Sequence, residues 1–339
     1  MLVTGGAGFI GSHYARSLLA ARHAGGISRL TVLDKLTYAG NRDNLAPVAA
    51  DRRFRLVVGD ICDASLVDEV MAGQHVVVHF AGESHVDRSI VAAAPFVTTN
   101  VLGTQVLLDA ALHHHVGRFV HVSTDEVYGS IETGCWDETQ PLAPHSPYAA
   151  AKASSDMLAL AYHHTHGAPV VIARCSNTYG PYQYPEKMVP LFITNLLDRI
   201  PVPLYGDGGN VRDWLHVEDA CAGIRLVAQR GRPGEIYHVG GGNRLTNKEV
   251  TAHLLAACGA GWDMVEYVAD RKGHDRRYAL DTAKIRAELG YRPRVGLTDG
   301  LAATVAWYRA HRGWWEPLRG RQPLLRTAGP AGSTPATTG

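Results

Sequence analysis

A cluster of glycines close to the amino terminus is the feature that most restricts how this chain can fold. It directly follows a short apolar segment, residues 1–3, and consists of Gly5, Gly6, Gly8 and Gly11. Both G-x-G-x-x-G and G-x-x-G-x-x-G spacings are present. Glycines at these spacings let a backbone turn approach a pyrophosphate, which then lies at the amino terminus of the following helix. We expect that helix over about residues 12–21.

An acidic residue at the end of the next predicted strand identifies the ligand class. The strand, residues 30–33, ends in Asp34, which lies 23 residues beyond Gly11. A carboxylate at this distance is placed to accept a hydrogen bond from a ribose 2′-hydroxyl and would repel a 2′-phosphate. The two signals together predict a dinucleotide site that favours NAD over NADP. A tight glycine turn without a ligand would leave Asp34 unexplained.

Further apolar segments predict strands that alternate with helices, at residues 54–58, 75–80, 118–122 and 169–174. This alternation is typical of βαβ units, whose strands are parallel. Ligands in such sheets bind at the carboxyl ends of the strands. Asp60 follows one of these ends, where it can contact an adenine or cap a helix. We therefore predict an α/β fold, a Rossmann-type doubly wound parallel sheet with a smaller carboxy-terminal α/β lobe.

Composition excludes several classes of partner. The 33 basic and 32 acidic residues nearly balance, which gives no field for nucleic acid or an anionic membrane. The sequence has no apolar run of about 18 residues and no signal peptide, so we expect a cytoplasmic protein. The five cysteines are scattered without a C-x-x-C spacing and are expected to be reduced.

Two histidine-rich segments and the carboxy-terminal tail are not expected to bind ligands. Residues 113–115 and 163–166 can hold a metal in principle, but polar helix faces are the favoured interpretation, so we expect no metal. Beyond about residue 320 the sequence consists mainly of Ala, Gly, Pro, Thr and Ser. Residues 321–339 are therefore expected to be a disordered tail.

Polar residues that can transfer protons follow the fifth predicted strand. That strand leads into Thr124, Asp125 and Glu126, and a predicted helix then carries Tyr148 and Lys152. Residues four apart share one helix face, and a nearby ammonium lowers the pKa of a phenol. Each pattern alone is common in surface turns and helices. Their order, downstream of a dinucleotide fingerprint, indicates a site that can move three protons.

These segments resemble the extended short-chain dehydrogenase/reductases, and within them the dTDP-glucose 4,6-dehydratases, over roughly residues 1–315. The resemblance rests on residues 5–11, 34–41, 83–89, 123–129, 148–152, 179–187, 212–214 and 270–278. The Thr-Asp-Glu sequence distinguishes the dehydratases from the related sugar-nucleotide epimerases, which lack the carboxylate pair.

The resemblance implies a set of site residues and no metal. The catalytic residues would be Thr124, Asp125, Glu126, Tyr148 and Lys152. NAD would be bound by Gly5, Gly8, Phe9, Ile10, Gly11, Asp34, Lys35, Leu36, Thr37, Asp60, Ile61, Phe80, Ala81, Gly82, Glu83, Ser84, Thr99, Tyr148, Lys152 and Thr178. The substrate would be bound by Ser84, Thr124, Asn177, Lys187, Met188, Pro203, Leu204, Tyr205, Arg212, Asn247, Asp270, Arg271, Lys272, Gly273 and His274.

The resemblance also implies domains and assembly. Residues 1–180 would form the NAD-binding Rossmann domain, with part of 213–240 returning to it. Residues 181–320 would form most of the sugar-nucleotide-binding lobe. Helices near 99–114 and 147–165 would pair with those of a second copy in a four-helix bundle, giving a homodimer.

The implied reaction converts dTDP-glucose to dTDP-4-keto-6-deoxyglucose and water, as in deoxysugar biosynthesis. Tyr148, as phenolate, takes the C4 hydroxyl proton while hydride leaves C4. Glu126 then removes the C5 proton, Asp125 protonates the departing C6 hydroxyl, and hydride returns to C6. Asp125 must therefore begin protonated and Glu126 ionised, which burial and like-charge proximity favour in a carboxylate pair.

The sequence departs from the family pattern at three places, and two other functions are compatible with parts of it. The first strand is short, Thr178 stands where the family has asparagine, and Gly82 replaces the usual alanine. A sugar-nucleotide 4-epimerase or decarboxylase is one alternative, and Asp125 with Glu126 argues against it. An inactive NAD-sensing protein is another, and the intact Tyr148 and Lys152 argue against that. The sequence does not decide whether the substrate carries thymidine or uridine. It also does not decide whether the product enters cell-wall rhamnose synthesis or a secondary-metabolite deoxysugar pathway.

Overall fold

A computed structural model describes residues 1–20 and 27–319 of the chain. The predicted tail, residues 321–339, and the end of the first predicted helix at residue 21 lie outside the described residues. The strands are β1 Leu2–Thr4, β2 Leu30–Asp34, β3 Phe54–Val58, β4 Val76–His79, β5 Arg118–Thr124, β6 Val170–Cys175, β7 Asn177–Tyr179, β8 Val202–Tyr205, β9 Val211–His216, β10 Ile236–Val239, β11 Arg244–Thr246 and β12 Val265–Val268.

The helices follow the strands closely in sequence. They are α1 Phe9–Ala20, α2 Ala64–Met71, α3 Val86–Val91, α4 Ala94–Phe96, α5 Gly103–His113, α6 Pro147–His166, α7 Met188–Leu197, α8 Val217–Arg230, α9 Asn247–Cys258, α10 Ala283–Leu289, α11 Leu297–Ala310 and α12 Arg312–Arg319. Short 3₁₀ segments occupy Arg42–Val48, Asp125–Tyr128 and Trp262–Met264, and a π-helical segment, Val97–Leu102, joins α4 to α5.

The main sheet confirms the predicted doubly wound fold. Its strands within the described residues run in the order β3-β2-β1-β4-β5-β6-β10, and all neighbours are parallel. Helices cover both faces, because one buried cluster joins α1 and α8 to the sheet and another joins α2, α5 and α6 to it. The strands are therefore apolar on both faces, as parallel strands between helix layers must be. The carboxyl ends of β1, β4 and β5 meet at one edge.

A second core lies outside the main sheet. Helices α7, α9, α11 and α12 enclose buried side chains that include Ile193, Leu254, Val305 and Trp315. Small sheets flank them, β7-β9-β11 and β8-β12. No helix in the described part of the chain combines the length and apolar content needed to cross a bilayer.

Two helices that reach the sheet edge have recognisable local signals. Helix α6 begins after Ser146, whose hydroxyl accepts a hydrogen bond from the Ala149 N–H, with Pro147 in the first turn, and it ends at Gly167 in the left-handed conformation. The helix predicted from Thr99 starts earlier, at Ala94, because the π-helical segment continues it. Such segments are rare and often occur at functional sites.

Candidate active site

Two adjoining cavities open at the carboxyl edge of the main sheet. The larger has a volume of about 370 Å³ and the smaller about 210 Å³. They share one wall, formed by Glu126, Asn177, Thr178, Gln183, Glu186 and Lys187. Ligands bound in the two cavities would therefore lie next to each other and contact the same residues.

The glycine turn forms the floor of the larger cavity. Gly5 has a φ of +68°, and a Cβ there would lie 2.4 Å from the backbone nitrogen of Ala81. A Cβ on Gly11 would lie 2.3 Å from the Gly5 carbonyl oxygen. Only glycine fits these positions, and α1 begins at Phe9 directly after the turn. The turn thus offers backbone N–H groups and a helix amino terminus to a pyrophosphate, which is the environment that NAD requires.

Asp34 links the end of β2 to the glycine turn. Its Oδ2 accepts a hydrogen bond of 2.8 Å from the Ala7 N–H, and its Oδ1 accepts one of 2.8 Å from the Leu36 N–H. Burial raises the pKa of this carboxyl group, while these backbone hydrogen bonds lower it. Asp34 therefore shapes the turn in addition to lining the cavity, where it remains available to a ribose hydroxyl.

The larger cavity brings together nearly all residues expected to contact NAD. Leu36 is the exception, because its backbone is left-handed, with a φ of 56°, and its side chain packs on the hydrophobic core instead. Asp60 lines the cavity and pairs with Lys35 at 2.5 Å. The helix-capping role considered for Asp60 belongs to Asp63, which accepts hydrogen bonds from the first turn of α2.

Asp125 and Glu126 begin a 3₁₀ turn directly after β5. Thr124 caps this turn by accepting a hydrogen bond of 3.2 Å from the Glu126 N–H, and it donates one of 3.2 Å to Asp125 Oδ1. Asp125 is 1% exposed, and its Oδ2 has no hydrogen-bond partner in the described residues. A buried carboxylate oxygen without a partner is costly as an anion, and a proton or a bound ligand satisfies it.

The two carboxyl groups occupy different electrostatic environments. Burial, followed by the nearby charges of Glu126 and Asp213, raises the pKa of Asp125 well above its usual range. Burial also raises the pKa of Glu126, but Arg271, Lys187 and Arg212 oppose that change. The cations favour charge on Glu126, so the arrangement supports a protonated Asp125 beside an ionised Glu126.

Tyr148 and Lys152 lie one turn apart on α6, both lining the larger cavity. Burial raises the Tyr148 pKa, the charge on Glu126 raises it further, and a hydrogen bond with Thr124 lowers it. In the protein without ligands, burial and the Glu126 charge therefore outweigh any lowering of this pKa by the Lys152 ammonium. The ammonium of Lys152 donates a hydrogen bond of 2.8 Å to the Val122 carbonyl oxygen, and burial lowers its own pKa to about 8.

The smaller cavity contains most residues expected to contact substrate. Asn177, Lys187, Met188, Pro203, Leu204, Tyr205, Arg212, Asn247, Arg271 and His274 line it, whereas Ser84 and Thr124 line the larger cavity. Asp270, Lys272 and Gly273 line neither cavity, because they lie on an exposed turn. Asp270 contacts a residue that does line the smaller cavity, since its Oδ1 lies 2.6 Å from His274 Nδ1.

Sequence reasoning missed two residues of the shared wall, Gln183 and Glu186. Glu186 Oε1 accepts a hydrogen bond of 2.9 Å from the Tyr38 hydroxyl, and its Oε2 accepts one of 3.2 Å from Arg88. Both residues belong to the motif at 179–187, directly before Lys187. That position is the signal that would have found them.

Both departures, Gly82 and Thr178, line the larger cavity, and the structure explains the first. A Cβ on Gly82 would lie 2.9 Å from Asn100 Oδ1, and the Asn100 side chain holds both the N–H and the carbonyl of Glu83. Glycine thus leaves room for this clamp from the π-helical segment. Thr178 lines the cavity, with its hydroxyl donating to the Ser176 carbonyl oxygen at 3.1 Å.

The histidine-rich segment at 113–115 lies outside both cavities. His113 and His114 each form a hydrogen bond with Asp68 Oδ1, at 2.9 and 2.8 Å, which joins the end of α5 to α2. These contacts explain the positions of both rings.

Comparison with known proteins identifies sequence relatives along nearly the whole chain. The family model described as GDP-mannose 4,6 dehydratase matches residues 2–304. The chain is 60% identical to the dTDP-glucose 4,6-dehydratase of Streptomyces niveus, over 98% of this chain and 99% of that protein. It is 63% identical to a dTDP-glucose 4,6-dehydratase of Actinoplanes sp., over 93% of this chain and 99% of that one.

Solved structures give the same result. The dTDP-glucose 4,6-dehydratase DesIV of Streptomyces venezuelae, with NAD and dTDP bound, superposes with a TM-score of 0.92 and 62% identity, covering 94% of this chain and 99% of that one. The UDP-glucose 4-epimerase of Thermus thermophilus, in complex with NAD, gives a TM-score of 0.84 and 33% identity, covering 91% and 99%. Dehydratases and epimerases thus share this fold.

Proposed function

The chain belongs to the GDP-mannose 4,6 dehydratase family of extended short-chain dehydrogenase/reductases, and we propose that it acts on dTDP-glucose. It is an NAD-dependent 4,6-dehydratase that forms dTDP-4-keto-6-deoxyglucose and water. The observation that carries this function is the pair Asp125 and Glu126: Asp125 lines the larger cavity with Tyr148, and Glu126 lines both cavities. An epimerase has no step that needs a second acid and base there.

The glycine turn and Asp34 would hold NAD in the larger cavity. Bound NAD supplies an acceptor for the hydride from C4 of the sugar, the donor that returns it to C6, and a positive charge. The chain's own part in the first step is to remove the C4 hydroxyl proton. Tyr148 takes it, Thr124 bonds the C4 oxygen, and the Lys152 ammonium stabilises the phenolate.

Asp125 and Glu126 carry the elimination. The 4-ketone acidifies the C5 hydrogen, Glu126 removes it, and Asp125 gives its proton to the departing C6 hydroxyl, so water leaves. Glu126 then returns a proton to C5 as C6 is reduced. The proton collected by Tyr148 from the C4 hydroxyl replaces the one that Asp125 donates. The cycle therefore consumes no proton overall.

Cationic and apolar groups divide the binding of the nucleotide. Lys187, Arg212 and Arg271 are the cations of the smaller cavity and suit the diphosphate. Pro203, Leu204, Phe192 and Tyr205 provide apolar and aromatic surface for the base. We propose thymine as that base, on the strength of the dTDP-glucose dehydratases that the chain matches.

A homodimer and a cytoplasmic location complete the proposal. Large exposed apolar side chains gather on α3, the π-helical segment and α6, helices that contact one another: Ile90, Val91, Val97, Leu102 and Met157. A second copy is the proposed partner. Leu102 and Met157 lie within 99–114 and 147–165, the helices expected to form a four-helix bundle, and the other three side chains extend this apolar surface onto adjoining elements. All five cysteines are free, which suits a reducing compartment.

Parallel assays test the function. Purified protein is incubated with dTDP-glucose, UDP-glucose or GDP-mannose, and the products are separated and weighed by mass spectrometry. We expect loss of one water from dTDP-glucose, with a kcat/KM well above that for the other two. A product of unchanged mass with inverted C4 would establish an epimerase instead.

A further inference from the structure

Helix α12 reaches the glycine turn through a chain of side-chain contacts that the reaction does not use. The indole N–H of Trp314 donates a hydrogen bond of 2.9 Å to Asn44 Oδ1. The amide of Asn44, which is 1% exposed, donates one of 2.8 Å to the Ala7 carbonyl oxygen. Ala7 lies in the glycine turn, and its own N–H is bonded to Asp34. Trp314 thus supports, through Asn44, the buried back of the glycine turn at Ala7, between the cavity-lining residues Gly5 and Gly8.

The same indole packs against the segment that forms the shared wall of the cavities. The Tyr182 ring lies 5.5 Å from the Trp314 ring and 4.5 Å from the Trp307 ring, centroid to centroid. The guanidinium of Arg16, a residue of α1, stacks on the Tyr182 ring, with its Cζ 4.2 Å from the ring centroid. Tyr182 has a φ of +68°, a conformation that is unfavourable for a tyrosine and persists only where the surroundings impose it.

Further contacts extend this support along the wall. The Tyr184 hydroxyl donates a hydrogen bond of 3.2 Å to the Leu318 carbonyl oxygen of α12. The neighbouring residues Gln183, Glu186 and Lys187 line both cavities. Helix α12 is itself fixed by Trp315, which is fully buried and donates to the Tyr308 carbonyl oxygen at 2.8 Å.

We propose that Trp314 is a positioning residue that couples the glycine turn to segment 180–187, so that the dinucleotide stays bound through a whole turnover. The need for retention rests on the proposed function, because hydride taken from C4 must return to C6 of the same sugar. Cofactor that left between these steps would strand a keto sugar. The coupling itself depends only on the contacts of Trp314.

Replacing Trp314 by Phe tests the coupling. Trp314→Phe keeps an aromatic ring against Tyr182 and removes the N–H that holds Asn44. Trp262→Phe is the matched control, because Trp262 is 44% exposed and lines neither cavity. We measure NAD affinity by calorimetry on cofactor-stripped protein, the NAD content after gel filtration, and kcat and KM with and without added NAD.

We expect Trp314→Phe to weaken NAD binding roughly tenfold, because a glycine turn without this support must be ordered when NAD binds, at a cost of the size of one hydrogen bond. With saturating NAD its kcat should stay within about twofold of the wild type, whereas without added NAD its activity should decay. A merely structural role would lower the melting temperature and leave NAD affinity unchanged. Equal NAD affinity in Trp314→Phe and wild type overturns the proposal.

A measurement on the wild type covers the case in which the variant does not fold. Hydrogen exchange is followed on cofactor-stripped protein before and after NAD is added. Residues 5–12, 180–187 and 312–319 should gain protection together. Residues 312–319 line neither cavity, so protection that does not extend to them overturns the coupling. Absence of turnover on dTDP-glucose, combined with weakened NAD binding in the variant, would refute the proposed function and leave the coupling supported.

Discussion

The hydroxyl of Tyr38 donates a 2.9 Å hydrogen bond to Oε1 of Glu186, a residue 148 positions away in the sequence. The bond joins the loop after β2, which borders the larger cavity, to the wall that both cavities share. Arg88 reinforces it, because its guanidinium stacks on the Tyr38 ring at 3.7 Å and pairs with Glu186 Oε2 at 3.2 Å. The three side chains close one end of the site.

Glu186→Gln should destabilise the protein more than Tyr38→Phe does. Glutamine keeps an acceptor for Tyr38 but leaves the partly buried Arg88 without its carboxylate, at a cost of about 1–3 kcal/mol. Tyr38→Phe removes one hydrogen bond, at a cost of about 0.5–1.5 kcal/mol. Urea unfolding of both variants and of the double variant measures the two costs and their coupling. Equal costs would show that the Arg88 charge contributes little.

Asp125→Asn should block loss of water while leaving oxidation at C4. Asparagine fills the same volume but has no acidic proton to give to the C6 hydroxyl, so dehydration should slow by about 10²–10⁴-fold. Substrate carrying deuterium at C4 reports this step. Wild-type product should contain the label at C6 of the same molecule, and the variant should form little of that product. Full-speed transfer of label to C6 in the variant would remove Asp125 from the mechanism.

Glu126→Gln should affect the C5 hydrogen specifically. In heavy water the wild type should place solvent deuterium at C5 of the product. The variant, without a base at this position, should exchange C5 about 10²–10⁴-fold more slowly. Tyr148→Phe should also slow this exchange, because it slows the preceding oxidation at C4, but only Glu126→Gln should accumulate NADH. Normal exchange at C5 in Glu126→Gln would assign the base to another group.

Lys152→Met should inactivate the enzyme yet stabilise its fold near pH 7. Burial lowers the Lys152 pKa from 10.5 to about 8, so between these pH values the unfolded chain binds more protons than the folded one. This group therefore makes stability rise with pH across that window and costs stability below it. Removing the buried ammonium should add about 1–3 kcal/mol, partly offset by the lost bond to Val122.

Urea unfolding of the cofactor-stripped protein at several pH values checks the effect of Lys152. The gain in Lys152→Met should shrink as the pH rises from about 8 towards 10.5. Lys248→Met, at an exposed position, should change stability by less than about 0.5 kcal/mol. A less stable Lys152→Met protein at pH 7 would show that the attraction of Asp156 outweighs burial.

Val91→Asp combined with Met157→Asp should separate the proposed dimer. These side chains are 76% and 56% exposed in the single chain, and burying two carboxylates in an apolar interface is costly. Light scattering at micromolar concentration should show a dimer for the wild type and a monomer for the variant. Ile200→Asp, at an exposed apolar position outside these helices, should remain dimeric. A monomeric wild type would refute the dimer.

The parts of the site that come from one short stretch of sequence could be predicted from the spacing of their residues. The glycine turn and Asp34 follow from a strand–turn–helix unit, and Tyr148 and Lys152 from the helix repeat. The fold class and the use of NAD are confirmed. The NAD contact of Leu36 stays a prediction, and no spacing rule shows that this left-handed residue packs its side chain on the core.

Effects that depend on distant segments were not predictable from the sequence. The Tyr148 pKa is set by burial and by Glu126, which lies on another element, and the helix spacing from Lys152 carries no information about either. Glu186 was missed for a similar reason, since its partners Tyr38 and Arg88 come from two separate loops. Substrate contact by Asp270 stays a prediction, and its hydrogen bond with His274, four residues further on, was not predicted from the sequence.

The last strand of the main sheet has a consequence for synthesis on the ribosome. Strand β10, Ile236–Val239, pairs with β6 and comes from far beyond the segments that supply the other strands. Until residue 239 has left the ribosomal tunnel, one edge of β6 has no partner strand. All six residues of this strand, Val170–Cys175, are buried in the folded protein. Such an edge is a template for pairing with other nascent chains. Chaperone demand during translation should therefore peak before this strand emerges and fall once it has docked.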